Sequence, residues 1–318
     1  MNPQPQVSVA FPVWNEEANL RPLYTQVRQA LLQAGVAYEM VFVDNGSTDG
    51  SLSMIKEIAH ADPAVRYVSL SRNFGHQGAL LAGLRYSRGA AVITMDADLQ
   101  HPPALIPAMV RLWREGVEVI YTTKRQAALS PLRLRQVQLF YWILSKLSAL
   151  HLSLGQSDFR LLDRKVVDVL IRLPEHRKFF RGLVEWVGFR QTGLEYDVAP
   201  RHAGSSKFSY RSLVSFAIDG ILAFSFVPLR WSLVAGLIVA SLCLLYGFFT
   251  VALGVLTLMG ASYRLPPGWV SLSASALFVA SVQLIAIGLL SEYVGRIFEQ
   301  AQGRPPFIVR EASDTVEM

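Results

Sequence analysis

The stretch "AAVITMDADLQHPP", residues 90–103, decides how this chain is read. An apolar, β-branched run ends in two aspartates one residue apart, and then in a His-Pro-Pro turn. β-Branched residues favour strands. A strand that runs into carboxylates at its carboxyl end places them where parallel sheets bind ligands. The same pattern recurs on both sides of this stretch. "VSVAF" at 7–11, "YEMVFVD" at 38–44, "VRYVSL" at 65–70 and "VEVIYTT" at 117–123 read as further strands. Residues 17–34, 51–60, 77–87 and 104–115 read as helices between them. Strand–helix alternation with apolar strands predicts an α/β domain, with a mostly parallel sheet covered on both faces.

Three of these strands end in residues that carry chemistry. The first runs into Pro12, Asn15, Glu16 and Glu17, the second into "DNGSTDG" at 44–50, and the fourth into Asp96 and Asp98. "DNGS" is also a good turn, with Ser47 or Thr48 as a helix cap. In an extended chain residues i and i+2 point the same way, so Asp96, Asp98 and Gln100 would present oxygens to one point. Two carboxylates and an amide carbonyl suit a hard divalent cation such as Mg²⁺ or Mn²⁺, which keeps positions for phosphate oxygens. The competing reading is an acidic, solvated turn. The six histidines show no metal-ligand spacing. His76 and His101 fall near the site loops, and the others read as surface residues.

The second part of the chain has a different solvent. From Trp231 to Ser291 the only charged side chain is Arg264, which divides two apolar runs, 232–259 and 270–290. A bilayer core needs about 20 apolar residues per helix, so both runs are long enough to cross. The link "GASYRLPPGW" supplies interfacial aromatics. The alternative, a helical hairpin buried in a soluble core, would need burial along the whole run. Lys207, Arg211, Arg230, Arg296, Arg304 and Arg310 flank the hairpin, which by the positive-inside rule puts both termini in the cytoplasm. The segment 209–230 reads as an interfacial helix. The expected organisation is a catalytic domain at 1–208, the interfacial helix at 209–230, a two-helix hairpin at 231–291 and a cytosolic tail at 292–318, with the last eight residues disordered.

Composition agrees with a membrane part. The 318 residues are 52% hydrophobic with a formal charge of +6, a mean hydropathy of +0.31 and a pI near 9.5. A basic balance suits anionic partners. The basic residues cluster near the apolar runs and form no aromatic-interleaved patch, which argues against nucleic acid. The single cysteine, Cys243, rules out an intrachain disulfide framework. The first 17 residues have neither a basic n-region nor an apolar h-region, so no cleaved signal peptide is expected.

Taken in order, "FPVWNEE", "VDNGSTDG", "SRNFGHQGA", "MDADLQHPP" and "RHAGSSKFS" resemble family 2 glycosyltransferases of the GT-A fold. The group most similar is the polyprenyl-phosphate glycosyltransferases, which include dolichyl-phosphate mannosyltransferase and bacterial bactoprenol glucosyltransferases. "FAIDGILAFSFVPLR" and "SEYVGRIFE…RPPFIV" resemble membrane-proximal and C-terminal signatures of the bactoprenol type. The resemblance implies a Rossmann-like cytosolic domain followed by the interfacial helix and two transmembrane helices. It also implies inverting transfer of a sugar from a nucleotide-sugar donor to polyprenyl (undecaprenyl) phosphate at the bacterial inner membrane, for cell-envelope or lipopolysaccharide glycosylation. UDP-glucose is the favoured donor, with GDP-mannose or a UDP-aminoarabinose derivative as alternatives.

By position, the resemblance gives Pro12, Glu16, Asp44, Arg72, Asn73 and Asp96 to the nucleotide sugar. Asp96, Asp98 and Gln100 would hold Mg²⁺ or Mn²⁺. Asp158 would lie beside the reacting sugar with Arg160 as its neighbour, and Lys207 would assist the chemistry. Lys124, Arg125, Arg133, Arg135, Arg201 and Ser206 would meet phosphate, chiefly that of the acceptor. A homo-oligomer through the crossing helices is a further implication. Three departures stand out: Trp14 where Tyr is usual, Asn45 where a second Asp is common, and no serine in "LRLRQVQLFYWIL" after Pro131. Two rivals compete with this reading. A polysaccharide-extending transferase would need a "QxxRW"-type motif, which is absent. A catalytically silent partner of a lipid-sugar flippase would have no need of Asp96, Asp98, Gln100 and Lys207.

Overall fold

The computed structural model describes residues 5–124, 156–175, 178–197, 227–259 and 268–313. They form two compact units, one holding the described residues up to 197 together with 304–313, the other holding 227–303. The first unit is built on an eight-stranded sheet in the order β7-β5-β6-β4-β1-β2-β3-β8. Its strands are β1 Val7–Val13, β2 Tyr38–Asp44, β3 Val65–Leu70, β4 Ala91–Thr94, β5 Val119–Lys124, β6 Gln156–Asp163, β7 Gln191–Tyr196 and β8 Val309–Ala312. The helices of this unit are α1 Glu17–Ala34, α2 Ser51–Ala61, α3 Gly75–Tyr86, α4 Ile106–Arg114, α5 Arg164–Arg172 and α6 Phe180–Trp186.

β1 pairs in parallel with β2 and β4, β2 with β3, and β5 with β7. β6 runs antiparallel between β4 and β5, and β8 antiparallel along β3. The sheet is therefore mostly parallel, as expected. The central strands are apolar along nearly their whole length because helices cover both faces. Phe11 and Phe42 stack across β1 and β2 with ring centroids 4.7 Å apart.

The chain order reverses at β1: β2 and β3 lie to one side, β4 to the other. Pro12 sits where this switch opens. The Ala10 carbonyl accepts the Met95 N–H, so residue 12 is the next position of β1 facing β4. Proline has no N–H to offer there, and β4 pairing stops at Thr94 while β2 pairing continues to Asp44. The crevice between parting strands is where open α/β sheets bind ligands.

Three expectations need correction. β4 ends at Thr94, so Asp96, Asp98 and Gln100 lie on a turn past the strand, and two-residue alternation does not align them. Leu99 adopts a left-handed φ of 61° within that turn, a conformation unusual for a branched side chain and typical of shaped sites. Neither Ser47 nor Thr48 caps α2. The helix begins at Ser51, with Asp49 accepting the Ser51 N–H and Glu17 accepting the Gly50 N–H. The C-terminal tail is also ordered through Ser313: Glu311 and Ala312 belong to β8, because β3 offers an open edge that the tail pairs.

The second unit holds two long helices, α7 Val227–Leu258 and α8 Gly268–Ala301. Both are long and apolar enough to cross a membrane, and neither apolar stretch, Trp231–Phe249 or Phe278–Ala301, is buried. Leu244 and Phe248, for instance, are 75% and 80% exposed. α8 runs past the expected end at 291, continued by an i,i+4 pair of Glu292 and Arg296 at 3.3 Å. Most of the expected interfacial helix, residues 209–226, lies outside the described residues.

Candidate active site

The site grows from four loops at the carboxyl ends of the parallel strands. Asn15, just after β1, has a φ of 55°. Its side-chain oxygen accepts the Thr48 N–H at 2.8 Å, and its own N–H donates to Ser47 Oγ at 3.1 Å. The neighbouring Glu16 N–H donates to Ser51 Oγ, and Glu16 Oε2 accepts from Asn19 Nδ2. The first two loops are thereby knitted together. Asp44, buried at the end of β2, accepts the Ser47 N–H at 3.1 Å and the Ser69 hydroxyl at 3.0 Å.

The third loop, after β3, is tied to the second through Asn45. Its Nδ2 donates to Asn73 Oδ1 and to the Gly75 carbonyl, both at 3.1 Å, and its Oδ1 accepts the Phe74 N–H at 2.9 Å. An aspartate could make only the last of these contacts, so the departure at position 45 has a structural use. The loops also touch at Gly46, whose φ is 70°. A Cβ there would lie 2.7 Å from the Arg72 carbonyl carbon. Arg72 rests over the Phe74 ring, 4.1 Å from its centroid.

The fourth loop carries Asp96 and Asp98 and meets β6, where Asp158 lies. β6 is held beside β4 by the Thr94 hydroxyl, which donates to the Asp158 carbonyl at 2.6 Å. Arg181 of α6 grips Asp158 with two parallel bonds, Nε to Oδ1 and Nη2 to Oδ2, each 2.8 Å. Arg160 Nη2 lies 3.9 Å from Asp158 Oδ1 and donates to the Ser157 carbonyl. His76, at the start of α3, bridges two carboxylates: its Nε2 is 3.5 Å from Asp158 and 3.7 Å from Asp96. His101 is buried beneath. Its Nδ1 accepts the Asp96 N–H, its Nε2 is 2.8 Å from Ser157 Oγ, and its ring stacks on Phe159.

The electrostatics follow from this crowding. Burial works against the Asp158 carboxylate, but Arg181 and His76 outweigh it and hold its pKa well below the usual carboxylate range. Burial lowers Arg160 to about 10, with Asp158 partly opposing the shift. Burial also disfavours a charged His76, yet its bond to Asp158 and the charge of Asp96 raise its pKa above the ordinary imidazole value. With 40% of the His76 side chain exposed, solvent tempers that rise. Three cationic side chains thus surround one buried carboxylate, next to a more open pair of aspartates.

Those aspartates carry hard carboxylate oxygens, the donor type that divalent cations take. Among the described residues the Asp96 carboxylate has no donor at hydrogen-bond distance, its nearest being His76 at 3.7 Å and His101 at 3.8 Å. Asp98 Oδ1 accepts the Gln100 N–H at 3.1 Å. No cluster of three or more His, Cys, Asp or Glu ligands occurs among the described residues.

Of the expected site residues, the structure links Asp96, Asp158 and Arg160 through His76 and backbone bonds. Asp44, Asn73 and Glu16 are placed on the adjoining bonded loops. Lys124 is the last residue of β5. Arg125, Arg133, Arg135, Arg201, Ser206 and Lys207 lie outside the described residues. The sequence reading missed Arg181, for which no local signal exists 23 positions after Asp158. It also left the histidines out, although His76 stands within "SRNFGHQGA".

Comparison with known proteins defines the class. Residues 8–170 match the family described as glycosyl transferase family 2. The chain belongs to this family and is a glycosyltransferase with a GT-A, Rossmann-like domain. It is 38% identical over 307 residues to a bactoprenol glucosyl transferase of Shigella phage SfV, covering 96% of this chain and 98% of that one. It is 38% identical over 309 residues to the uncharacterized glycosyltransferase YkcC of Bacillus subtilis, covering 96% and 94%. Among solved structures, the mannosyltransferase PcManGT from Pyrobaculum calidifontis, in complex with GDP-Man and Mn²⁺, aligns at 18% identity with a TM-score of 0.48, over 94% of this chain and 87% of that one.

Proposed function

We propose that this glycosyltransferase moves one sugar from a nucleoside diphosphate to the phosphate of a membrane-held polyprenol. UDP-glucose is the favoured donor and undecaprenyl phosphate the favoured acceptor. The observation that carries the reading is end-to-end likeness to bactoprenol glucosyl transferases, in a chain that joins a carboxylate-lined crevice to two exposed apolar helices. A polyprenyl phosphate cannot leave the bilayer, so the enzyme must be held at its surface. α7 and α8 would cross the membrane, with the catalytic unit and both termini in the cytoplasm.

The residues divide the chemistry among them. Pro12, Glu16, Asp44, Arg72 and Asn73 would line the nucleotide pocket at the β1–β4 switch. Asp96 and Asp98, with Gln100, would hold Mg²⁺ or Mn²⁺, whose charge offsets that developing on the departing diphosphate. Lys207, Arg201 and Ser206 would close over phosphate from the membrane side, and Lys124, Arg125, Arg133 and Arg135 would clamp the acceptor. A phosphate monoester is largely ionised at neutral pH, so its oxygen can attack the anomeric carbon without a protein base. The bond from that carbon to the diphosphate oxygen breaks as the new bond forms, and the configuration inverts.

Asp158 then has a role other than proton abstraction. Arg181 keeps it ionised, and a fixed anion beside the anomeric carbon favours the positive charge that develops there. Binding of UDP-glucose to the full-length protein, with and without Mg²⁺, tests the reading. Binding that needs the metal and is lost in Asp98→Ala supports it; metal-independent binding, or none to any sugar nucleotide, removes it.

A further inference from the structure

The segment "RPPFIV", residues 304–309, follows α8 and leads into β8, and the transfer chemistry gives it no part. Its contacts are concentrated on the loop after β3. The Ser71 N–H donates to the Ile308 carbonyl at 2.9 Å. The Ser71 carbonyl accepts Arg310 Nη2 at 2.8 Å. Both polar groups of one backbone residue are therefore held by the C-terminal segment. The Pro306 carbonyl lies 3.3 Å from where a Cβ on Gly78 would sit, and Phe307 is 8% exposed. Further on, the Ser313 N–H donates to the Tyr67 carbonyl and the Tyr67 N–H donates to Ser313 Oγ, and Glu311 pairs with Lys56 of α2 at 2.6 Å.

Edge protection alone would explain the ladder between β8 and β3. It does not explain bonds beyond the end of β3 at Leu70, nor the register shift between Ser69 and Leu70, just before this loop. The gripped residue, Ser71, directly precedes Arg72 and Asn73, and the same loop leads to His76. From its other side the loop is held by Asn45. Gln77 Oε1 accepts the Phe180 N–H at the start of α6, the helix that carries Arg181. A loop gripped at several points is pre-organised, which lowers the cost of binding.

We propose that residues 306–313 form a positioning strap for the sugar-nucleotide site, with Arg310 as the residue that fixes Ser71 and, through it, Arg72, Asn73 and His76. The inference rests on the reading of Arg72 and Asn73 as nucleotide-pocket residues. The strap also follows α8 directly in the chain, so the element that returns from the proposed membrane hairpin is the one that shapes the donor site.

The test uses full-length protein in detergent with Arg310→Ala, Arg310→Lys and, as a charge control, Arg304→Ala. Hydrogen–deuterium exchange over residues 71–78 reads the grip, and calorimetric binding of UDP-glucose with Mg²⁺ reads its consequence. Arg310→Ala is expected to speed exchange in 71–78 and to weaken UDP-glucose binding by about fivefold each, the weight of one charge-assisted bond at an exposed site. Arg310→Lys should recover most of both, and Arg304→Ala should match the parent. Unchanged exchange in Arg310→Ala overturns the strap, as does faster exchange with unchanged affinity. Arg72→Ala judges the underlying reading separately. If it leaves affinity intact, the pocket assignment fails and the strap's functional part with it, while the exchange data still decide whether the segment holds the loop.

Discussion

Asp158 is one buried anion facing three cations, and that asymmetry fixes what its removal must do. Its carboxylate takes two 2.8 Å bonds from Arg181, with His76 at 3.5 Å and Arg160 at 3.9 Å. Replacing it by Asn keeps the shape but takes from Arg160, 3% exposed, its main counter-charge and leaves only the weaker field of Glu185; the Arg160 Nε already lacks a partner. Breaking a buried pair from the side that strands a charge costs about 3–5 kcal/mol. Arg181→Met removes the same two bonds, yet leaves Asp158 with His76 and Arg160. Because the Arg181 side chain is 31% exposed, that loss should be about 2 kcal/mol. Urea unfolding of full-length protein in detergent, followed by tryptophan fluorescence, compares the two. Asp158→Asn should be the less stable by at least about 1 kcal/mol, and, on the role proposed for Asp158, both should lose activity by about a hundredfold as that anion is lost or misplaced. Equal stabilities, or a larger loss in Arg181→Met, would refute the picture of one anion shared among several cations.

Other outcomes follow from the same geometry. The folded pKa of Asp158 lies below its unfolded value, so its contribution is complete above roughly pH 4 and fades as pH falls through the folded value. Acid unfolding curves should therefore be shallower below about pH 4 in Asp158→Asn than in the parent. Asn45→Asp replaces a donor to Asn73 and Gly75 by an acceptor; a loss of about 1–2 kcal/mol in thermal unfolding, with a raised KM for the donor, is expected. Chelation should abolish sugar transfer, and Asp98→Ala should lower it by about a hundredfold while leaving the unfolding midpoint nearly unchanged.

The readable parts of this chain are those where one physical requirement dominates. β2, β3 and α1 fall at the expected residues because apolar strands buried on both faces, and a long amphipathic helix, write their periods plainly. β6 was hidden because a buried strand of composition "QSDFRLLD" breaks the apolar rule. Gln156, Ser157, Asp158 and Arg160 are buried together, and partners distant in the chain, Arg181 and His76 on Asp158 and His101 on Ser157, offset much of that cost. β8 escaped because a short edge strand such as "VREA" carries charge to discourage further pairing. The aspartates of 94–103 were singled out on a false premise: they lie on a turn that contains the left-handed Leu99, not on an alternating strand. His76 and Arg181 could not be paired with Asp158 by spacing, since helices and strands from distant parts of the chain bring them together.

The central claim is transfer of a sugar to a polyprenyl phosphate. Its most direct test incubates purified full-length protein in detergent with undecaprenyl phosphate, Mg²⁺ and UDP-glucose, beside GDP-mannose and a UDP-aminoarabinose derivative, and weighs the lipid by mass spectrometry. The account predicts a lipid heavier by one sugar, released nucleoside diphosphate in equal amount, and about a hundredfold less of both in Asp98→Ala. Folded protein that binds these donors yet leaves the lipid mass unchanged with every one of them would contradict it.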